Sequence, residues 1–287
     1  MVRTVRTRLT LAAFLDRWES RVRRVGERVG WPQVWLHEFT RYLGDPRMGL
    51  EEFWVRYVLL RREVKPWFER IHTEADAREF FTTSEYMLWR NVVHRRHSAW
   101  RRVLWTMKGE GHTLLELGCG TAPVSAYCAA RRPGWDYWLH DLDGDAKAYG
   151  IWRVYAHVVP PRVCTLTTLL MTPGPERPRV VTALDTFEHL ADPLALAKEC
   201  VRLLGPGGYL HWNFAMTDGA GLNLATPALR GTTIDYLNTA LTRVWGDPED
   251  HCVSRGSRVN TPWSRHSRTP HAERRGRTTG AMTEYNR

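Results

Sequence analysis

Ten residues, LLELGCGTAP from Leu114 to Pro123, constrain this chain more than any other stretch. An apolar run stops at two glycines one residue apart, and glycine lets the backbone turn left-handed and lets other groups approach the bare main chain. Leu114, Leu115 and Leu117 therefore read as the end of a buried parallel strand. Gly118 and Gly120 read as a tight turn into a helix that begins near Pro123. A helix start after such a turn offers unpaired N–H groups and a partial positive charge, a cradle suited to a nucleoside-bearing ligand. The pattern is loose, because Ala122 holds the third glycine position. Alone it also fits an ordinary strand-to-helix connection.

Two downstream stretches point the same way. Trp135 to Asp143, WDYWLHDLD, reads as a second strand that ends in acid, and Asp141 falls some twenty residues after the glycines. In doubly wound folds a carboxylate there accepts hydrogen bonds from ribose hydroxyls. Further on, ALDTFEHLADPLALAKECVRLLGPGGYLHWNF gives a strand, an acidic turn, an amphipathic helix, a Gly-rich turn and another apolar strand. Around these pieces the spacing predicts helices after Pro123, over 143–158 and over 193–204, and strands over 163–170, 180–184 and 209–214. Thr232 or Thr233 suits the cap of a helix in IDYLNTAL, and LTRVWGDPEDHCVS suits an antiparallel hairpin with a short last strand. Strands alternating with helices give a doubly wound, mostly parallel α/β sheet that binds ligands at its carboxyl ends.

Taken in order, ELGCGTAP, the acid in LHDLD, LDTFEHLADP and RLLGPGGYL resemble the class I S-adenosylmethionine-dependent methyltransferases, from about Leu114 to Phe214. The resemblance implies a Rossmann-like sheet of seven strands and S-adenosyl-L-methionine as cofactor. It implies Glu116, Gly118, Cys119 and Gly120 around the methionine portion, Asp141 on the ribose with Leu142 beside it, and Asp185 and Phe187 lining the same site. His189 and Glu188 are then the best-placed bases, although an acid and a histidine before LADP also suit a loop that only caps the next helix. The chain departs from the family in VCTLTTLLMTPGPERP, which has no Asp or Glu before Glu176, so the adenine contact is unassigned and Thr167 and Thr168 are candidates by position alone. An NPPY-type motif is missing after the fourth strand, which argues against exocyclic base amines as acceptors.

The acceptor expected from the EHL-type turn is a small molecule, in a cavity lined by aromatics such as Trp89 and Trp212. An RNA methyltransferase and a scaffold that has kept the fold without turnover are the alternatives. Charge bears on that choice: the net is +9 over residues 1–108, −5 over 109–250 and +6 over 251–287. The segment expected to hold the site is acidic, whereas a nucleic-acid enzyme needs positive charge around its mouth. Arginine outnumbers lysine 37 to 4, a bias that coding-sequence composition can also produce.

At 287 residues and 43% hydrophobic, the chain is long enough for a full core and an accessory region. Residues 1–108 read as helical and as a candidate substrate lid, or as an aromatic bundle serving stability alone. There, Asp45 and Pro46 suit an N-cap and first turn, with Phe53, Trp54, Tyr57, Val58, Leu60 and Val64 at helical spacing up to Pro66. A second, long helix starts at Thr83 or Ser84 and carries Trp89, Val92, Trp100, Val103, Leu104 and Met107 on one stripe. Residues 109–254 are the expected catalytic domain, and 255–287, rich in Arg, Ser, Thr and Gly, read as a disordered basic tail. Five cysteines without CxxC spacing indicate neither a disulfide framework nor a zinc site, and His94 with His97 lack a third ligand, so no metal is expected. No run of 18 apolar residues occurs, and no cleavable leader is evident, so a cytoplasmic protein without membrane contact is expected. The oligomeric state is not readable.

Overall fold

An aromatic layer of helices precedes the sheet and packs on its site-forming end. The computed structural model describes residues 32–93, 97–157, 161–164, 177–204, 207–215 and 222–256. The first layer contains α1 Pro32–Tyr42, α2 Leu50–Glu63, α3 Lys65–Phe68, α4 Glu74–Thr83, α5 Glu85–Val93 and α6 His97–Thr106. Asp45 does not cap α2, which starts at Leu50 behind Gly49. Its N–H is instead given to Thr40 O and its carbonyl accepts from Met48, so the Asp45–Pro46 pair closes the turn after α1. Thr73 and Asp76 form a reciprocal capping box on α4. The long helix expected from Ser84 onward is described as two, α5 and α6; residues 94–96 between them, His94 included, lie outside the described residues.

The sheet contains β1 Thr113–Leu117, β2 Asp136–His140, β3 Arg162–Val163, β4 Val180–Ala183, β5 Tyr209–Trp212, β6 Thr242–Asp247 and β7 His251–Arg255. Its order is β3-β2-β1-β4-β5-β7-β6, parallel through β5 and antiparallel at β7 and β6. This is the seven-stranded Rossmann-like sheet expected from the resemblance, with strand order reversing on either side of β1. The last strand, expected to be short, pairs with β5 from Tyr209–Arg255 to Trp212–Cys252. Helices α7 Pro123–Ala129, α8 Asp145–Tyr155, α9 Pro193–Leu203 and α10 Pro227–Ala240, with a 3₁₀ turn at Phe187–His189, complete the alternation. Helix α10 is capped by Thr226, which accepts from Leu229 N–H at 3.3 Å, and not by Thr232 or Thr233. Both lie inside the helix and return their hydroxyls to the Ala228 and Leu229 carbonyls; the Thr226–Pro227 pair was the better start signal. The third strand begins at Arg162, and residues 165–176, with Thr167 and Thr168, lie outside the described residues, as do 1–31 and the tail from 257.

All five residues of β1 are buried, as expected for a parallel strand covered on both faces. Alternation sends Leu115 and Leu117 to one face, with Val181, Leu210 and Trp212 against Ala197, Cys200 and Leu203 of α9. Leu114 goes to the other, among Trp100, Val103, Val124 and Cys128 of α6 and α7. Glu116 shares that second face by the same period of two. The five cysteines are free and buried.

A hydrogen-bonded file ties α6 to β5 and β7, and its direction follows from one fixed donor. Thr106 gives its hydroxyl proton to Val103 O at 2.7 Å, so its oxygen accepts from His211 Nε2 at 2.8 Å. His211 Nδ1 must then accept from His251 Nε2 at 3.0 Å, and His251 Nδ1 from the Arg102 guanidinium at 3.4 Å. Burial holds the His211 pKa well below its ordinary value. Arg102 also lies 3.5 Å over the Trp245 ring.

Candidate functional site

At the end of β1 the backbone is left-handed at Gly118 (φ +60°), Gly120 (φ +46°) and Ala122 (φ +46°). A Cβ at 118 would run into the Thr186 side chain, and one at 120 would lie 2.8 Å from Asn91 Nδ2 of α5. Glycine is thus required at 118 by conformation and by the close approach of the turn after β4. Ala122 tolerates the same backbone region at a cost in strain.

Asp141, just past β2, points toward this bend. Its Oδ2 accepts from Gly120 N–H at 2.5 Å and its Oδ1 from Leu142 N–H at 2.6 Å. Burial raises its pKa, and the two N–H bonds oppose that rise. Lys147 donates to the Asp141 carbonyl at 3.0 Å and to Asp143 at 2.8 Å, which ties the start of α8 to the same corner.

Glu116 has a role that sequence pattern did not show. Its carboxylate accepts from Val124 N–H at 3.2 Å and Ser125 N–H at 2.7 Å, so it caps α7, whose own N-cap residue Ala122 has no side chain to do so. The helix start expected to offer unpaired N–H groups is therefore already occupied by a carboxylate of the chain. Burial pushes the Glu116 pKa up to about 7 against those bonds.

Between β1 and β4 lies a small cleft lined by Trp100, Glu116, Gly118, Cys119, Pro123 and Asp185, with Leu117, Val124, Thr182 and Leu184 behind them. Glu116, Gly118, Cys119 and Asp185 therefore share this cleft, while Gly120, Asp141 and Leu142 meet through the Asp141 carboxylate. Burial pushes the Cys119 thiol well up, so its backbone is what it offers the site. Asp185 is left-handed (φ +50°) and is held by Asn213 through two hydrogen bonds. Thr186 Oγ1 lies 3.2 Å from Leu117 O and 3.0 Å from Leu184 O, which stitches the ends of β1 and β4.

Other expectations need correction. Phe187 does not face the cleft; it is fully buried and stacked on Phe214 at 5.6 Å, because the 3₁₀ turn directs it into the core below. Trp89 and Trp212 do not line the cavity either. Trp89 packs against Phe39 and Phe53, and Trp212 is locked in the sheet core by Ser254. Glu188 is buried and its carbonyl accepts from Ala225 N–H at 3.2 Å. His189 lies farther out, its ring 5.2 Å from Phe81 and its Nδ1–H donated to Leu222 O at 2.9 Å, which leaves Nε2 as the acceptor nitrogen. Burial brings its pKa down to about 4.

The helical layer covers these strand ends. Phe81 meets His189, the Thr82 backbone closes on Gly144, and Asn91 stands over Gly120. Arg153 joins the layers, bonding Glu38 at 2.6 Å and Thr121 O at 2.9 Å. Asn91 and Asn213 were missed by sequence reasoning, and Trp100 was read only as part of a helical stripe. Only Asn213, a polar residue closing an apolar strand, carried a local signal.

Residues 89–245, more than half of the chain, match a family model described as a methyltransferase domain. A search of curated proteins gave no match. Among solved structures, the chain is similar to the N-methyltransferase NodS from Bradyrhizobium japonicum WM9 in complex with S-adenosyl-L-homocysteine (19% identity, TM-score 0.42, 59% of this chain and 87% of that one). It is also similar to magnesium protoporphyrin IX methyltransferase ChlM from Synechocystis PCC 6803 (13% identity, TM-score 0.48, 64% and 100%). An O-methyltransferase family protein from Burkholderia thailandensis is a third (15% identity, TM-score 0.46, 71% and 70%).

Proposed function

The chain belongs to the methyltransferase-domain family, and on that premise we propose that it transfers a methyl group from S-adenosyl-L-methionine to a small-molecule acceptor. The observation that carries the reading is the meeting of the Asp141 carboxylate with the Gly118–Gly120 bend, bonded to Gly120 N–H at 2.5 Å. A carboxylate fixed there is set for ribose hydroxyls, beside a bend whose left-handed glycines leave the main chain bare. Gly118, Cys119 and Asp185 would hold the methionine portion, with Glu116 fixing the start of α7 beside them, and Gly120, Asp141 and Leu142 the ribose side.

The bound cofactor supplies a methyl group on a sulfonium, already a good leaving group. What remains for this chain is to align, to exclude water and to move a proton. Alignment is worth about 7–11 kcal/mol and a positioned base roughly 10²- to 10⁴-fold. His189 is the base in this proposal: its tautomer is set by Leu222 O, which leaves Nε2 as the acceptor, and burial keeps that nitrogen neutral while making it a weaker base than a free imidazole. Glu188 acts beside it by holding the loop to the 222–225 segment through its carbonyl. The cover given by Phe81, Thr82 and Asn91 favours a small acceptor over a polymer, and supports reading the helical layer as the substrate lid.

Calorimetric titration with S-adenosyl-L-methionine tests the donor. Binding is expected, and Asp141→Ala is expected to weaken it by about tenfold or more. Absence of binding by the unaltered protein would leave the scaffold reading in its place.

A further inference from the structure

We propose that the outer face of α6 and the edge strand β6 form a docking surface for single-stranded nucleic acid, in which tryptophan rings stack bases and the cations around them meet phosphates. Two rings stand at the surface here: Trp105 on α6 is 61% exposed and Trp245 on β6 is 42% exposed. Each has a cation against it. The Arg102 guanidinium lies 3.5 Å over the Trp245 ring, and Lys108 Nζ is 5.5 Å from the centre of the Trp105 ring. Helical spacing puts Arg101 and Arg102 one turn before Trp105, and Lys108 follows one turn after it, so ring and cation alternate from β6 along α6.

An arginine on a merely solvated face is free to move, and Arg102 is not. It is half-buried, with the indole on one side and Nη1 held 3.4 Å from His251 Nδ1. A guanidinium fixed in this way has given up its side-chain freedom before any ligand arrives, which favours binding. The charge around the rings has one sign: Arg101, Lys108 and Arg243 are exposed, α6 has no acid, and the acids that follow are Glu110, past the end of α6, and Asp247, at the end of β6. Rings interleaved with arginine and lysine suit a strand whose bases are unpaired, because every base has a face to stack and every phosphate a charge to meet. A second copy of the chain suits this surface less. It would bring like charges together, and the bulge between Arg243 and Trp245 breaks the edge of β6 that a partner strand would use. Trp100 faces the cleft from the same helix, whereas these residues lie outside its lining. The nucleic acid is thus a docked partner and not the methyl acceptor, and the inference stands apart from the methyl-donor reading.

Fluorescence anisotropy of a short labelled oligouridylate, titrated with the full chain, tests this. Binding is expected to weaken steeply with salt, and Lys108→Gln and Arg243→Gln are each expected to reduce the slope of log affinity against log salt by about 0.7. Trp105→Ala is expected to weaken binding by about fivefold or more with the slope unchanged. Inorganic polyphosphate, which has the charge without the bases, is expected to bind that variant as it binds the unaltered chain. Trp105 is exposed, so its loss leaves the core intact. Arg102→Lys, which keeps the charge but not the planar fork, is expected to weaken oligouridylate binding at an unchanged slope. Failure of the unaltered chain to bind overturns the assignment, and so does equal weakening of polyphosphate and oligouridylate by Trp105→Ala. Unchanged affinity in both Trp105→Ala and Arg243→Gln overturns it as well, since the anion is then held elsewhere on the chain. A concentration-dependent dimer in sedimentation that Trp105→Ala abolishes would give the surface to a second copy instead.

Discussion

The floor of the site and the layer above it hold together by different physics. The floor is made of backbone and short polar bonds: Gly120 to Asp141, Val124 and Ser125 to Glu116, Asp185 to Asn213. The layer above depends on rings, with Phe53 at 4.8 Å from Trp89, 4.9 Å from Trp35 and 5.8 Å from Phe39, and Phe39 at 5.4 Å from Tyr149 of α8. Directional bonds fix atoms to tenths of an ångström, whereas edge-to-face rings supply bulk burial and tolerate small shifts. A precise floor under an adaptable cover suits a site that must fix one ligand and admit another.

Four measurements would break or sharpen that contrast. The largest effect is expected above: Phe53→Ala should lower stability by about 3–5 kcal/mol in urea denaturation. If the cover is adaptable, Phe53→Leu should recover most of that loss. In the floor, Gly118→Ala should cost about 2–5 kcal/mol, from the left-handed backbone and the encounter with Thr186. Thr186→Gly in the same chain should relieve the steric share only, and full recovery would show that the backbone is unstrained.

The third measurement is a pH series. Glu116 has a folded pKa near 7 against an ordinary 4.5, so the folded state binds the proton more tightly. Its stabilising contribution is complete below pH 4.5 and is lost as pH rises through about 7, an effect of about 3 kcal/mol. Glu116→Gln should flatten that slope, and an unchanged slope would assign it elsewhere. His189 works in the opposite sense, since its lowered pKa removes stability as pH falls from 6.5 through about 4. The smallest effect is expected at the exposed Arg78–Glu74 pair, 3.7 Å apart, where Glu74→Ala should change stability by less than about 0.5 kcal/mol.

How much of this could be read beforehand divides along the same line. Gly118, Gly120 and Asp141 were legible because a turn, a strand end and an acid are local features at fixed spacing. Helix α9 and the β6–β7 hairpin were legible for the same reason, whereas α10 begins at Pro227, six residues before the start expected for it. Trp89 and Trp212 were misread as cavity walls, because periodicity says that a ring is buried without saying against what. Phe187 was misread too: the turn in which it lies rotates it below the site, a matter of three residues of 3₁₀ geometry.

By itself, the order of residues determined the alternation of strands and helices, the position of the bend and the acid that meets it, since each depends on neighbours within a few residues. Only the tertiary structure decided that Glu116 caps α7, that Asn213 holds Asp185 and that a helical layer covers the strand ends. Those contacts join segments from 8 to more than 100 residues apart. Nothing in a local period encodes them; they arise when buried polar groups must find partners wherever the packed chain brings one within reach.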